Sequence, residues 1–205
     1  METNRLAIEG GTPIRKNYLP YGKQDVDQSD MDAVVKVLKS EYLTTGPMIE
    51  VFENTIAAYV GSQFAVAFSS GTAALHAACY AAGIKEKDQV ITTPMTFAAT
   101  ANAIKYQGGE VVFADIDSKT YNISPESIEN VINDQTKAII TVDFTGQPVN
   151  YQAIRNIATR YQIPFISDAA HGLGAVYHGE KVGSLADMTM FSFHPVKHIT
   201  TGRVD

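Results

Sequence analysis

Hydrophobic and polar positions along the chain alternate between two periodicities. Short apolar runs rich in β-branched and aromatic residues predict strands at 64–68, 89–93, 110–114, 137–142, 164–167 and 188–193. Apolar residues three and four positions apart separate the first five apolar runs, and they predict helices near 73–82, 96–106, 125–133 and 150–161. This alternation predicts an α/β fold: a mostly parallel sheet with helices on both faces.

The first sixty residues follow a different pattern. Residues 1–28 contain several glycines and prolines and are predicted to form an irregular N-terminal arm. A helix is predicted to begin near Ser29, and a second helix, whose apolar stripe includes Phe52 and Val60, is predicted to end at Gly61.

Composition and charge exclude several classes of protein. Hydrophobic residues make up 45% of the 205 positions and charged residues 19%, which is typical of a globular protein. The net charge of −6 argues against a nucleic-acid-binding protein. No membrane span or signal peptide is recognisable, so we expect a soluble, cytoplasmic chain. The single cysteine, Cys79, has no thiol partner for a disulfide or a cysteine-rich metal site, and no metal is expected.

Candidate chemistry follows the predicted strands, because ligands of parallel sheets bind beyond the carboxyl ends of the strands. After 64–68 comes SSGTAALH, in which the backbone N–H groups of Gly71, Thr72 and Ala73 could bind an anion at a helix N-terminus. A simple Ser/Thr helix cap is the alternative. After 89–93, Thr96 is a candidate cap, and Phe97 is either a packing residue or a platform for a flat ring.

Two further strand ends carry ionisable groups. Asp168 ends an apolar strand, where an ionised carboxylate needs a partner unless it only caps a turn. His171 follows three residues later. Within the last predicted strand, Ser192 alternates with Phe191 and Phe193 and so faces away from them. Beyond that strand, Lys197 lies in a turn, either as a solvated charge or as a carbonyl-directed amine. An anion site, a stacking ring, an acid and a lysine 29 residues later (197 − 168) are together the parts of a pyridoxal phosphate (PLP) site.

Longer motifs extend this interpretation along almost the whole chain: LPYGKQ, LTTGP, FSSGTAALH, ITTPMTFAATANA, VDFTGQP, ISDAAH, KVGS and FSFHPVKHITTG. In order and spacing they resemble those of the DegT/DnrJ family of PLP-dependent sugar-nucleotide aminotransferases. The resemblance implies an aspartate-aminotransferase-like fold (fold type I). Residues 29–205 then form an incomplete PLP-binding large domain, and the small C-terminal domain is absent.

The resemblance also implies roles for individual residues. Lys197 would form the Schiff base with the cofactor and later move a proton, Asp168 would pair with the pyridine nitrogen, and His171 would contact the phenolic oxygen. The resemblance assigns the phosphate to Gly71, Thr72 and Ser192. It assigns the ring face to Phe97, which would stack on it.

The implied reaction moves the amino group of L-glutamate to the 4-keto carbon of a UDP-linked 2-acetamido-2,6-dideoxy sugar, as in pseudaminic acid biosynthesis. Thr44 and Thr45 would lie near this sugar. Three alternatives stay open: a 3-keto or dTDP-linked sugar as substrate, a PLP sugar 3-dehydratase, and a non-catalytic truncated product. Those dehydratases carry His in place of the lysine, so Lys197 argues against the second.

The chain departs from the family near its end. Family members are close to twice this length, and Arg203, Val204 and Asp205 stand where the family continues with Glu-Gly-Gly. We therefore expect a truncated or frameshifted fragment of a protein that is a homodimer at full length. A strand that the family places between 64–68 and 188–193 would be missing, so we expect a gap in the sheet, poor cofactor binding and little or no activity.

Overall fold

The computed structural model describes residues 5–201, so the expectations for positions 203–205 lie outside the described residues. The helices are α1 (Gln28–Leu38), α2 (Pro47–Val60), α3 (Gly71–Ala81), α4 (Ala98–Tyr106), α5 (Pro125–Val131) and α6 (Tyr151–Tyr161). The strands are β1 (Gln89–Thr92), β2 (Glu110–Phe113), β3 (Thr136–Val142), β4 (Phe165–Asp168), β5 (Val176–Tyr177), β6 (Glu180–Lys181) and β7 (Met188–Met190).

The main sheet has five parallel strands in the order β2-β1-β3-β4-β7, and β5 and β6 form a separate antiparallel pair. Strand residues alternate between two buried clusters. Ile140 and Ile166 pack with α3 and α4, whereas Ile139 and Phe165 pack with α5 and α6 on the opposite face. Because helices cover both faces, the central strands β1, β3 and β4 are buried along most of their length, and the predicted α/β fold is confirmed.

Local sequence signals explain several helix ends. The Asp27 carboxylate accepts hydrogen bonds from the backbone N–H groups of Ser29 and Asp30 and so caps α1. Gly61, with a φ of +76°, ends α2 as predicted, since glycine adopts this left-handed conformation without a Cβ clash. No helix within residues 5–201 combines the length and apolarity needed to cross a membrane.

The predicted strand at 64–68 is wrong: this segment joins no sheet. Phe64 and Val66 are 76% and 68% exposed, and the backbone N–H of Ala67 donates to the Glu53 carboxylate (2.7 Å) rather than to a neighbouring strand. The last predicted strand is shorter than expected and ends at Met190. The absence of a strand at 64–68 and the shortness of β7 have the same cause, since a strand is stabilised by the strands that pair with it. Segment 64–68 pairs with no strand, and β7 pairs with β4 alone.

Helix α1 forms where the sequence predicts it, but its apolar stripe is exposed. None of its residues is buried, and Val34 and Leu38 remain 57% and 63% exposed. Periodicity therefore identified the helix correctly, and nothing within residues 5–201 buries its apolar stripe.

Candidate active site

A cavity of about 1260 Å³ opens at the carboxyl ends of β3 and β4 and the N-terminus of α3. It continues between β7 and residues 64–68. Its lining includes every residue that the sequence suggested for the cofactor: Gly71, Thr72, Phe97, Asp168, His171, Ser192 and Lys197.

Asp168 is the most deeply buried ionisable group of this set, with 5% of its surface exposed. Its carboxylate accepts hydrogen bonds from the Thr100 hydroxyl (2.6 Å) and the Ala170 backbone N–H (3.2 Å). Burial raises the pKa of Asp168, and these two hydrogen bonds and the charge of Lys197 oppose the rise. Neither of the two salt bridges formed within residues 5–201 involves Asp168. A buried carboxylate without an ion-pair partner fits a protonated ring nitrogen.

Thr100 is a site residue that sequence reasoning missed. Its hydroxyl is fully buried, and it lies 2.7 Å from the Thr96 hydroxyl as well as contacting Asp168. Thr96 does not cap the helix as predicted: α4 begins at Ala98, and the Phe97 position before it makes no side-chain cap. The i to i+4 spacing of the two threonines was the available signal, since such residues share a helix face.

Lys197 and His171 contact each other at the mouth of the cavity, with Nζ and Nε2 2.9 Å apart. Partial burial, followed by the charges of Lys197 and His198, lowers the pKa of His171. A neutral imidazole is thus favoured, which can accept a hydrogen bond from the Lys197 amine. The Lys197 backbone N–H donates to the His194 carbonyl (2.8 Å), and His198 Nε2 lies 2.8 Å from the Leu173 carbonyl oxygen. The turn that carries Lys197 is therefore held against the segment that carries His171.

The N-terminus of α3 meets the requirements for an anion site in part. The Ser70 hydroxyl accepts the Ala73 N–H (3.1 Å), so the helix cap named as the alternative is formed, and Ala73 is removed from the candidate anion donors. The N–H groups of Gly71 and Thr72 have no acceptor within the helix, as at any helix start. A Cβ on Gly71 would lie 3.0 Å from Met190 Sδ and 3.7 Å from Ser192 Cβ, so a larger residue here would press on the Met190 side chain and shift it by a few tenths of an ångström.

The remaining predicted residues differ in their placement. Phe97 is 79% exposed and lies on the rim of the cavity. Thr44 and Thr45 lie in the exposed segment before α2 and are not among the residues that line the cavity. Their contact with a sugar stays a prediction.

Comparisons with known proteins agree with this geometry. The model of the DegT/DnrJ/EryC1/StrS aminotransferase family matches residues 24–203. A UDP-4-amino-4,6-dideoxy-N-acetyl-beta-L-altrosamine transaminase from Campylobacter jejuni is 48% identical over 186 residues, which are 89% of this chain and 49% of that protein. The chain thus spans about half the length of the curated relatives it matches.

Solved structures give the same picture. Helicobacter pylori PseC, described as an aminotransferase involved in pseudoaminic acid biosynthesis, superposes with a TM-score of 0.83 at 35% identity, over 88% of this chain and 49% of that one. Spr1654 from Streptococcus pneumoniae in its PLP form gives a TM-score of 0.86 at 30% identity, over 89% of this chain and 50% of that one. The chain therefore belongs to the DegT/DnrJ/EryC1/StrS aminotransferase family, whose cofactor is PLP.

Proposed function

We propose that the complete protein, which contains this chain and has the length of its relatives, transfers the amino group of L-glutamate to the 4-keto carbon of a UDP-linked 2-acetamido-2,6-dideoxy sugar. The observation that carries this proposal is the convergence of a buried carboxylate, a lysine and a helix N-terminus on one cavity. The name of the 48% identical Campylobacter relative supports the choice of sugar. The donor follows from the family resemblance.

Each side chain has a distinct task in this proposal. PLP, when bound, supplies an electron-withdrawing ring that stabilises negative charge on the carbon beside the reacting nitrogen. Asp168 holds the proton on the ring nitrogen, and the Thr100 hydroxyl keeps that carboxylate oriented. The Lys197 amine carries the proton between the two carbons that exchange it, and His171 positions the amine by its 2.9 Å contact.

The anion is held at the opposite end of the cavity. The N–H groups of Gly71 and Thr72 point their partial positive charge at the phosphate, and Ser192 adds a hydroxyl from the segment after β7. Phe97 covers one ring face from the rim. With the phosphate and the ring face held in this way, Asp168 would be placed to bind the ring nitrogen and Lys197 to bind the aldehyde carbon.

The domain organisation is also proposed rather than observed. Residues 29–205 form part of the large domain, and the missing half supplies a strand between β7 and 64–68, a small domain and the surfaces of a homodimer. The unpaired outer edge of β7 and the exposed Phe64, Val66 and Phe68 support this assignment. The 205-residue chain alone is therefore expected to bind PLP weakly and to transfer amino groups at a negligible rate.

The test uses the complete protein with ¹⁵N-labelled L-glutamate and UDP- or dTDP-linked 4-keto sugars. We expect ¹⁵N at carbon 4 of the UDP sugar, detected by NMR, and no product from Lys197→Ala. Lys181→Ala is the matched control, since Lys181 contacts the Tyr59 ring instead of the cavity. Loss of a sugar hydroxyl without nitrogen incorporation would identify a dehydratase, and equal use of dTDP sugars would overturn the UDP assignment.

A further inference from the structure

The loop that follows β3 borders the cavity and has no task in the proposed reaction. It spans residues 143–149, and Asp143 and Phe144 at its start line the cavity. Within these seven residues a single 3₁₀ turn over Phe144–Gly146 is the only regular element. Because so short a turn does not fix a loop by itself, contacts with other segments must do so.

One buried side chain, that of Asn122, holds the backbone of this loop. Its N–H₂ group donates to the Gln147 and Pro148 carbonyl oxygens (2.9 and 3.1 Å). Its side-chain oxygen accepts a hydrogen bond from the Phe144 backbone N–H (3.0 Å). Thr145, at a φ of +54°, adopts a left-handed conformation that is costly for a β-branched residue. The three hydrogen bonds therefore keep the loop in a strained conformation that it would not hold alone.

The Asp143 carboxylate connects the loop to the turn after β4. Its Oδ1 accepts the Val149 backbone N–H (2.9 Å), and its Oδ2 accepts the Tyr151 hydroxyl (2.7 Å). A Cβ on Gly172 would lie 3.1 Å from the same Oδ2, so the carboxylate packs directly against this residue. Gly172 follows His171, and the loop therefore contacts the turn that carries the histidine.

Gly146 contacts the backbone of His171 itself. A Cβ on Gly146 would lie 2.8 Å from the His171 carbonyl oxygen, which is closer than real Cβ atoms come to another heavy atom. A backbone oxygen cannot rotate away as the end of a side chain can, so any residue other than glycine must displace one of the two segments. Since Asn122 and Asp143 hold the loop, we expect the turn that carries His171 to move.

The contact continues from His171 to the lysine. His171 Nε2 lies 2.9 Å from Lys197 Nζ. The strength of such a hydrogen bond depends on both its length and its angle. A displacement of the His171 backbone therefore changes the hydrogen bond that places the amine.

We propose that the loop 143–149 is the positioning element for His171, with Gly146 as the residue in contact, and that His171 passes this placement on to the Lys197 amine. The inference deepens the proposed function, and it rests on that function only for the catalytic task of the amine. The placement of His171 itself is testable without cofactor.

The test is ¹⁵N NMR of the histidine rings in the 205-residue chain without cofactor, at pH 7.5. The chain has five histidines, and His171→Asn identifies the His171 signals by their loss. Lys197→Ala gives the position of the Nε2 signal when the contact with the amine is absent. We expect Gly146→Ala to move the Nε2 signal from its wild-type position toward that seen in Lys197→Ala, because the added Cβ displaces the His171 backbone.

Gly179→Ala is the matched control. Gly179 has a φ of +89°, against +87° for Gly146, and no heavy atom of residues 5–201 beyond its chain neighbours lies within 4 Å of a Cβ placed there. Both substitutions strain a left-handed glycine, and only Gly146→Ala also presses on His171. An Nε2 signal that stays at its wild-type position in Gly146→Ala, or that moves as far in Gly179→Ala, overturns the proposal.

Asn122→Ala tests the loop without adding an atom beside His171, and it decides the matter where Gly146→Ala does not fold. It removes the three hydrogen bonds to the loop and should move the His171 Nε2 signal in the same direction. The signal of His76, exposed on α3, should stay in place. An unchanged His171 signal would show that the loop does not place the histidine. Since no cofactor is present, these results do not depend on whether the complete protein transfers amino groups.

Discussion

Removal of the Thr100 hydroxyl tests the environment of Asp168 with a single atom's change. Thr100→Val keeps the shape of the side chain but deletes the donor that lies 2.6 Å from the carboxylate. Both residues are buried, so water does not replace the lost contact. A buried acceptor that loses its donor costs about 1–3 kcal/mol, and we expect Thr100→Val to lower the free energy of unfolding by about this amount at pH 7.5.

The matched control is Thr141→Val, an identical substitution at an equally buried position in β3. Within residues 5–201 the Thr141 hydroxyl has no hydrogen-bond partner, so its replacement by a methyl group removes an unpaired polar atom. We expect this variant to be neutral or more stable by about 1 kcal/mol.

Urea unfolding followed by circular dichroism measures both variants. Because the Thr100 hydrogen bond lowers the pKa of Asp168 and so favours its ionised form, the Thr100→Val deficit should become smaller as the pH is lowered and Asp168 is protonated. Equal destabilisation by Thr100→Val and Thr141→Val at pH 7.5 would refute the reasoning, because it would show that loss of volume or polarity, rather than the contact with Asp168, determines the effect.

Three further predictions concern other parts of the molecule. Burial raises the pKa of Asp143 to about 6 in the folded chain, so its contribution to the free energy of unfolding is present below pH 4 and is lost as the pH rises through 6. In urea unfolding at pH 4 and pH 7, the wild-type chain should lose about 3 kcal/mol more of this free energy between the two pH values than Asp143→Asn does. Gly71→Ala should weaken PLP binding to the complete protein several-fold in an absorbance titration, because a Cβ would crowd the helix N-terminus, whereas Gly22→Ala, with open space around it, should not. The double variant Phe64→Ser, Val66→Ser should lower the free energy of unfolding by under about 0.5 kcal/mol in the 205-residue chain, where both side chains are exposed. In the complete protein, where the added strand would bury them, the same variant should lower it by several kcal/mol. Equal losses in the two proteins would contradict the proposed sheet.

The fold could be predicted from the sequence wherever burial is decided locally. Runs such as 89–93 and 137–142 are apolar on both faces, which is the pattern required of strands between two helix layers, and both form strands. The segment 64–68 has the same pattern but joins no sheet. An apolar pattern shows that a segment can form a buried strand, but a strand also needs a neighbour to pair with, and within residues 5–201 no strand pairs with 64–68.

The candidate site divides in the same way. Asp168 and Lys197 were recognisable because an acid at the end of an apolar strand and a lysine in a turn have few structural reasons to be there. Thr100 was not recognisable from the sequence, because the carboxylate that it contacts is 68 residues away. Which face of α4 points toward that carboxylate is determined by how the helix packs. Asp143 gave the same signal as Asp168, an acid directly after an apolar strand, but only the structure shows that Tyr151 is its partner.

Covalent trapping of the cofactor tests the central claim most directly. The complete protein is mixed with PLP, reduced with borohydride, digested and mapped by mass spectrometry. The account predicts one phosphopyridoxyl group per chain on the peptide that contains Lys197, lost in Lys197→Ala and retained in Lys181→Ala. A label spread over other lysines, or one that persists in Lys197→Ala, would contradict it.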